Sequence, residues 1–164
     1  MRCGRVDEAV RLLERVLEQA TSSGRMGGQA PLLFTLGEAH LRAGRLEEAR
    51  TLAARALEQA RTYQERGHEA YALRLLGDIA THREPPEVGE ADASYRQAMA
   101  LAEALGMRPL VAHCHLGLGT LYAKTGRREQ AHTALITAIE MYRAMDMTFW
   151  LPQAEATLAE VEGR

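Results

Sequence analysis

The sequence predicts an all-α superhelical solenoid of antiparallel helix pairs, about eight helices in all. Three observations carry this. The Leu-Gly pairs Leu36-Gly37, Leu76-Gly77 and Leu118-Gly119 place their glycines 40 and then 42 residues apart. Ala9, Ala49, Ala91 and Ala131 follow at intervals of 40, 42 and 40. Such self-similarity marks stacked repeats. Apolar residues make up 46% of the chain and aromatics only 5%, a balance that suits packed helices and argues against sheet.

Residues 5–21 read as the first helix, with Val6, Ala9, Leu12, Leu13, Val16, Leu17 and Ala20 on one face. Gly4-Arg5-x₂-Glu8-Ala9 echoes Gly44-Arg45-x₂-Glu48-Ala49, so this helix matches the second helix of a repeat and lacks its first-helix partner. A polar turn over 21–28 leads to a helix over 30–43, which Gly44 stops in the left-handed conformation. The helix over 46–65 buries Leu46, Ala49, Leu52, Ala53, Ala56, Leu57, Ala60 and Tyr63. The next helix, 68–82, is broken by Pro85-Pro86, where the two extra residues of the 42-residue interval fall. Helix 87–105 ends at Gly106, and Pro109 suits the first turn of helix 109–124. Gly126 separates that helix from 128–144. A last helix over 149–162, rich in Glu, is expected to cap the stack.

The residues at fixed offsets resemble the tetratricopeptide repeat, a helix–turn–helix unit with the pattern W-x₂-L-G-x₂-Y…A-x₃-F. The third copy carries Leu118-Gly119-x₂-Tyr122 and Ala131-x₃-Leu135. Small residues are needed where two helices approach closely, which explains the recurring Gly and Ala. The chain departs from the pattern in lacking the opening aromatic and in exceeding the usual period of about 34. The resemblance implies one domain over 1–164: a partial repeat over 1–29, full repeats over 30–67, 68–108 and 109–147, and a cap over 148–164. A narrower likeness lies in Glu84-Pro85-Pro86-Glu87, Met107-Arg108-Pro109-Leu110, His113-Cys114-His115-Leu116-Gly117 and Met145-Asp146-Met147-Thr148-Phe149-Trp150. These stretches resemble the C-terminal repeat region of bacterial signalling proteins that join a class III adenylate or guanylate cyclase to an ATPase domain. The likeness implies a regulatory sensor tail.

Composition narrows the function classes. The formal net charge of −2 offers no basic surface to nucleic acid. There is no apolar run of membrane-spanning length and no apolar signal region at the N-terminus. Cys3 and Cys114 stand alone, which points to a reducing, cytoplasmic setting without a structural metal. The phosphate-binding loop G-x₄-G-K-[ST] is absent, and the one lysine, Lys124, follows Ala123. In His113-Cys114-His115, residues two apart on a helix point to nearly opposite faces, so the imidazoles cannot share an ion. His113 is expected to face the groove and His115 the helix pair. Met141, Met145, Met147, Phe149 and Trp150 read as core between the last helices or as an adaptable partner surface.

No catalytic residue, metal site or cofactor is expected, and the chain does not read as an enzyme. In the repeat family the first helix of each pair lines the concave surface. By that register the resemblance assigns to the groove Phe34, Glu38 and Arg42, then Tyr71, Arg74, Asp78 and His82, then His113, Leu116, Thr120 and Lys124. The expected partner is a protein or peptide. Arg42, Arg74 and Lys124 would pair with its acidic groups, while Phe34, Tyr71 and Leu116 hold apolar side chains. The open face of helix 5–21, drawn from Val6, Leu13, Val16 and Leu17, offers a further contact, through which the chain is expected to form a homo-oligomer or to exchange its N-terminal helix between chains.

Overall fold

A computed structural model describes residues 3–24 and 27–163, with the side chains of residues 3–5 excepted. Cys3 and Arg5, used above, therefore lie outside the described side chains. Eight helices follow one another among the described residues: α1 (Cys3–Ser22), α2 (Ala30–Arg42), α3 (Leu46–Thr62), α4 (Arg66–His82), α5 (Val88–Ala104), α6 (Arg108–Lys124), α7 (Arg128–Ala144) and α8 (Leu151–Gly163). The all-α solenoid expected from the repeats is the fold observed.

Each helix packs on the next. In addition α2 packs on α4, α4 on α6, and α6 on α8, whereas the backbones of α1, α3, α5 and α7 stay apart among the described residues and are bridged by long side chains, as Arg50 of α3 does to Glu90 of α5. The array therefore curves with the even-numbered helices inside. Besides the first turn, which holds Gly24 and Gly28, five turns pass through a left-handed residue: Gly44, Gly106 and Gly126, but also Gln64 at φ 56° and Asp146 at φ 54°. The first three were legible because glycine takes that conformation freely. The other two were not, since neither residue type demands it.

Small residues form the seams. Ala49, Ala53, Ala56, Ala91, Ala98, Ala131 and Ala138 have no exposed surface. A Cβ on Gly37 would stand 2.9 Å from Leu75, one on Gly77 2.8 Å from Tyr95, and one on Gly119 2.6 Å from Leu135. At Gly117 the gap would be 2.3 Å, again to Tyr95. That ring thus lies against two glycines, one from α4 and one from α6.

The two ends differ. At the C-terminal end, α8 buries Ala154 and Val161. It is tied down by Arg143 to Glu155 (2.6 Å) and by Arg128 to the Val161 carbonyl (2.8 Å). At the N-terminal end, α1 buries Val10, while Leu12 and Val16 are each half exposed. Val6, Leu13 and Leu17, also expected on the open face, are partly covered. The methionine-rich stretch splits: Met141, Met145, Met147 and Trp150 pack against the core, whereas Phe149 is 82% exposed.

Gly37→Leu or Gly119→Leu should each destabilise the fold by about 1–3 kcal/mol through overpacking. Chemical unfolding followed by circular dichroism measures this. Unchanged midpoints in both variants would contradict the packing register.

Candidate functional site

The inner curve holds a cavity of about 440 Å³. The even helices supply most of its lining because residues three, four and seven apart share a helix face. Eight of the eleven residues assigned to the groove line it: Glu38, Arg42, Arg74, Asp78, His82, His113, Leu116 and Thr120. Leu41, Thr81, Tyr95, Gly117, Phe149, Trp150 and Gln153 complete the wall.

Phe34, Tyr71 and Lys124 stand outside it. The two rings stack on each other at 5.2 Å and 16°. Expected to hold a partner's apolar side chains, they instead hold each other. Lys124 is turned to the Thr81 carbonyl, which accepts from its ammonium at 3.2 Å.

Arg74 departs furthest from expectation. It was assigned as a groove cation open to an acidic ligand. In the structure its side chain is 15% exposed. One terminal nitrogen donates to Glu38 of the preceding repeat and the other to Asp78 at 2.6 Å. Its Nε is buried without a hydrogen-bond partner. Burial alone would lower the guanidinium's affinity for its proton, but the Asp78 and Glu38 carboxylates outweigh it and hold the proton more firmly than usual. Arg74 is therefore a structural cation, already matched by two anions. The Tyr95 hydroxyl donates to the other Asp78 oxygen at 2.6 Å, and the Thr81 hydroxyl lies 3.2 Å away. Burial, reinforced by Asp78, pushes the Tyr95 phenol well above its ordinary range, so it remains a donor.

The far wall is aromatic. His113 shares a hydrogen bond of 2.7 Å with the Tyr142 hydroxyl. Its ring meets Trp150 edge-on at 4.7 Å, and Trp150 meets Phe149 at 5.2 Å. Burial pushes the His113 ring down to about 4, and the Arg74 charge adds to the shift. The ring is thus neutral near pH 7. His82, on the other side, bonds the Asp78 carbonyl through Nδ1 at 2.7 Å. Arg42 is exposed and carries no ion pair among the described residues.

Cys114 is fully buried, and burial pushes its thiol up to about 12. No group of three metal-ligating side chains occurs among the described residues, and no described helix is long and apolar enough to cross a membrane.

Two family models of the tetratricopeptide repeat match the sequence, over residues 1–74 and 112–145. Over those two stretches the chain matches tetratricopeptide repeats. Among solved structures it is similar to the apo form of RapI, with a TM-score of 0.78 at 17% identity, over 96% of this chain. The likeness shows a shared helical-repeat fold, and this chain spans 57% of that structure's length. No curated protein matches.

The buried histidine gives a pH-dependent stability. Its folded value of about 4 lies below the ordinary 6.5. Between those values the unfolded chain binds a proton that the folded chain does not, so stability present above pH 6.5 is lost as the pH falls. From pH 7 to 5 the parent should lose roughly 2 kcal/mol more than His113→Asn in urea unfolding. His40 and His115, also lowered by burial, remain in both proteins and cancel. Equal losses would mean that folded His113 takes up a proton.

Proposed function

We propose that this chain is a non-catalytic interaction scaffold that holds a peptide segment in its concave groove. The observation that carries this reading is the cavity on the inner curve, to which four successive even helices contribute. Its volume falls in the range of about 300–1,000 Å³ usual for ligand sites. Its wall combines aromatic rings with convergent polar groups, and all of its lining but Tyr95, Phe149 and Trp150 stands on the even helices. Stacked repeats use such extended concave surfaces for binding. A reducing, cytoplasmic setting fits the buried free thiol of Cys114.

A displayed library of random peptides, selected on the immobilised chain, tests this. Peptides so obtained should lose at least about tenfold in affinity to Thr120→Phe, which fills the groove, and change by less than about twofold with Arg55→Glu on the outer helix α3. Both variants must first melt like the parent. Binding that survives Thr120→Phe and is lost with Arg55→Glu would place the partner on the convex face and overturn the reading.

The same scaffold would serve as the sensor tail of a cyclase–ATPase protein. Support for this comes from the resemblance at 84–87, 107–110, 113–117 and 145–150. A cyclase or ATPase domain encoded in frame with the chain would favour it.

Self-association through α1 belongs to the same reading, resting on the half-exposed Leu12 and Val16. Light scattering on a size-exclusion column should show a species larger than one chain, reduced to a monomer by Leu12→Glu with Val16→Glu. A monomeric parent at high concentration would remove the idea.

A further inference from the structure

The groove was expected to attract acidic groups. The geometry points to the opposite sign: the cavity accepts the cationic side chain, arginine or lysine, of a bound peptide, seated between the Glu38–Asp78 carboxylates and the Phe149–Trp150 aromatic pair. This rests on the peptide-binding reading above and specifies its ligand.

The first ground is charge balance. Two carboxylates, Glu38 and Asp78, share one guanidinium, that of Arg74, so the cluster carries a formal charge of −1. It is largely withdrawn from solvent, with side-chain exposures of 29% for Glu38, 20% for Asp78 and 15% for Arg74. An anionic cluster so placed keeps its field, whereas an exposed charge is screened by water and salt. Arg42 also lines the cavity, but it is exposed and offsets the cluster only weakly. Lys124 does not line it, and the neutral His113 ring adds no positive charge.

The second ground is unused hydrogen-bonding capacity. Asp78 receives Arg74 on one oxygen and Tyr95 on the other. Among the described residues, Glu38 receives Arg74 on Oε1 alone. Its second oxygen is the acceptor left to a donor arriving from the cavity.

The third ground is the aromatic wall. Phe149 is 82% exposed at the cavity edge and braced edge-on by Trp150. An exposed ring next to an anionic floor suits a cation with an apolar stem. Its methylenes pack on the ring, and its charge sits against the ring face, within about 6 Å of the centroid, or against the carboxylate. An acidic side chain would meet repulsion from both.

The test uses peptides selected as above on the whole chain, resynthesised with each basic residue replaced in turn by citrulline or glutamine. Selected peptides should share one arginine or lysine, whose neutral replacement weakens binding about tenfold in calorimetry. Glu38→Gln should weaken the basic peptide about fivefold while changing its neutral counterpart by less than about twofold. Phe149→Ala, at a position too exposed to disturb folding, should also weaken it, and Arg42→Glu should tighten it. Peptides that depend on the groove by the Thr120→Phe criterion, yet are acidic or indifferent to neutralisation, would overturn the cationic assignment and leave the peptide-binding reading intact. A selection yielding no groove-dependent peptide would overturn both.

Discussion

Tyr95 can occupy its place only because residues 77 and 117 have no side chain. Its ring lies where a Cβ on either would intrude, at 2.8 Å and 2.3 Å. It therefore crosses from the outer helix α5 to the inner curve. There its hydroxyl meets Asp78, which holds Arg74, which in turn holds Glu38 of the preceding repeat. One steric condition, glycine at two positions, links the packing of two repeats to the polar floor of the cavity. Burying such a cluster is costly unless its groups are paired. The Tyr95 hydroxyl and the two carboxylates supply that pairing, leaving the Arg74 Nε as the cluster's one buried atom without a partner among the described residues.

The cluster also ties adjacent repeats through their concave side. On the outer side the ties are different. Arg50 of α3 reaches Glu87 at 3.0 Å and Glu90 at 2.9 Å, and Arg45 reaches Asp7 at 3.1 Å. These pairs are more exposed, and each contributes no more than about 1 kcal/mol. The repeat stack thus rests on its alanine and glycine seams. The inner cluster adds orientation: it sets which side chains face the cavity and which are withdrawn from it.

The helices were legible because apolar periodicity and recurring small residues report the same packing. Their ends fell within a few residues of expectation, and the turn glycines explain why. The lining of the cavity was legible through helical spacing, since Glu38, Arg74, Asp78, His113, Leu116 and Thr120 share the inner face once the repeat register is set. What escaped depends on contacts between distant positions. A glycine announces a vacant space but not that Tyr95 fills it. Arg74 reads as an available cation until Glu38, 36 positions earlier, is seen to neutralise it. Phe149 and Trp150 look alike as apolar neighbours, yet the turn before α8 partly covers one ring and leaves the other in solvent. Phe34 and Tyr71 share the groove's register, but their mutual stacking depends on how α2 and α4 abut.

Nitrogen-15 NMR of the arginine guanidinium groups tests most directly whether the Tyr95 seat governs the site. In the parent protein one guanidinium, assigned through Arg74→Lys, should show slow rotation and separately resolved terminal N–H signals near pH 7, as two opposed carboxylates require. Gly117→Ala, which displaces Tyr95, should abolish that signature while backbone amide signals from α1 and α8 stay in place. Arg74 signals averaged by free rotation in the parent, or unchanged in Gly117→Ala, would contradict the account.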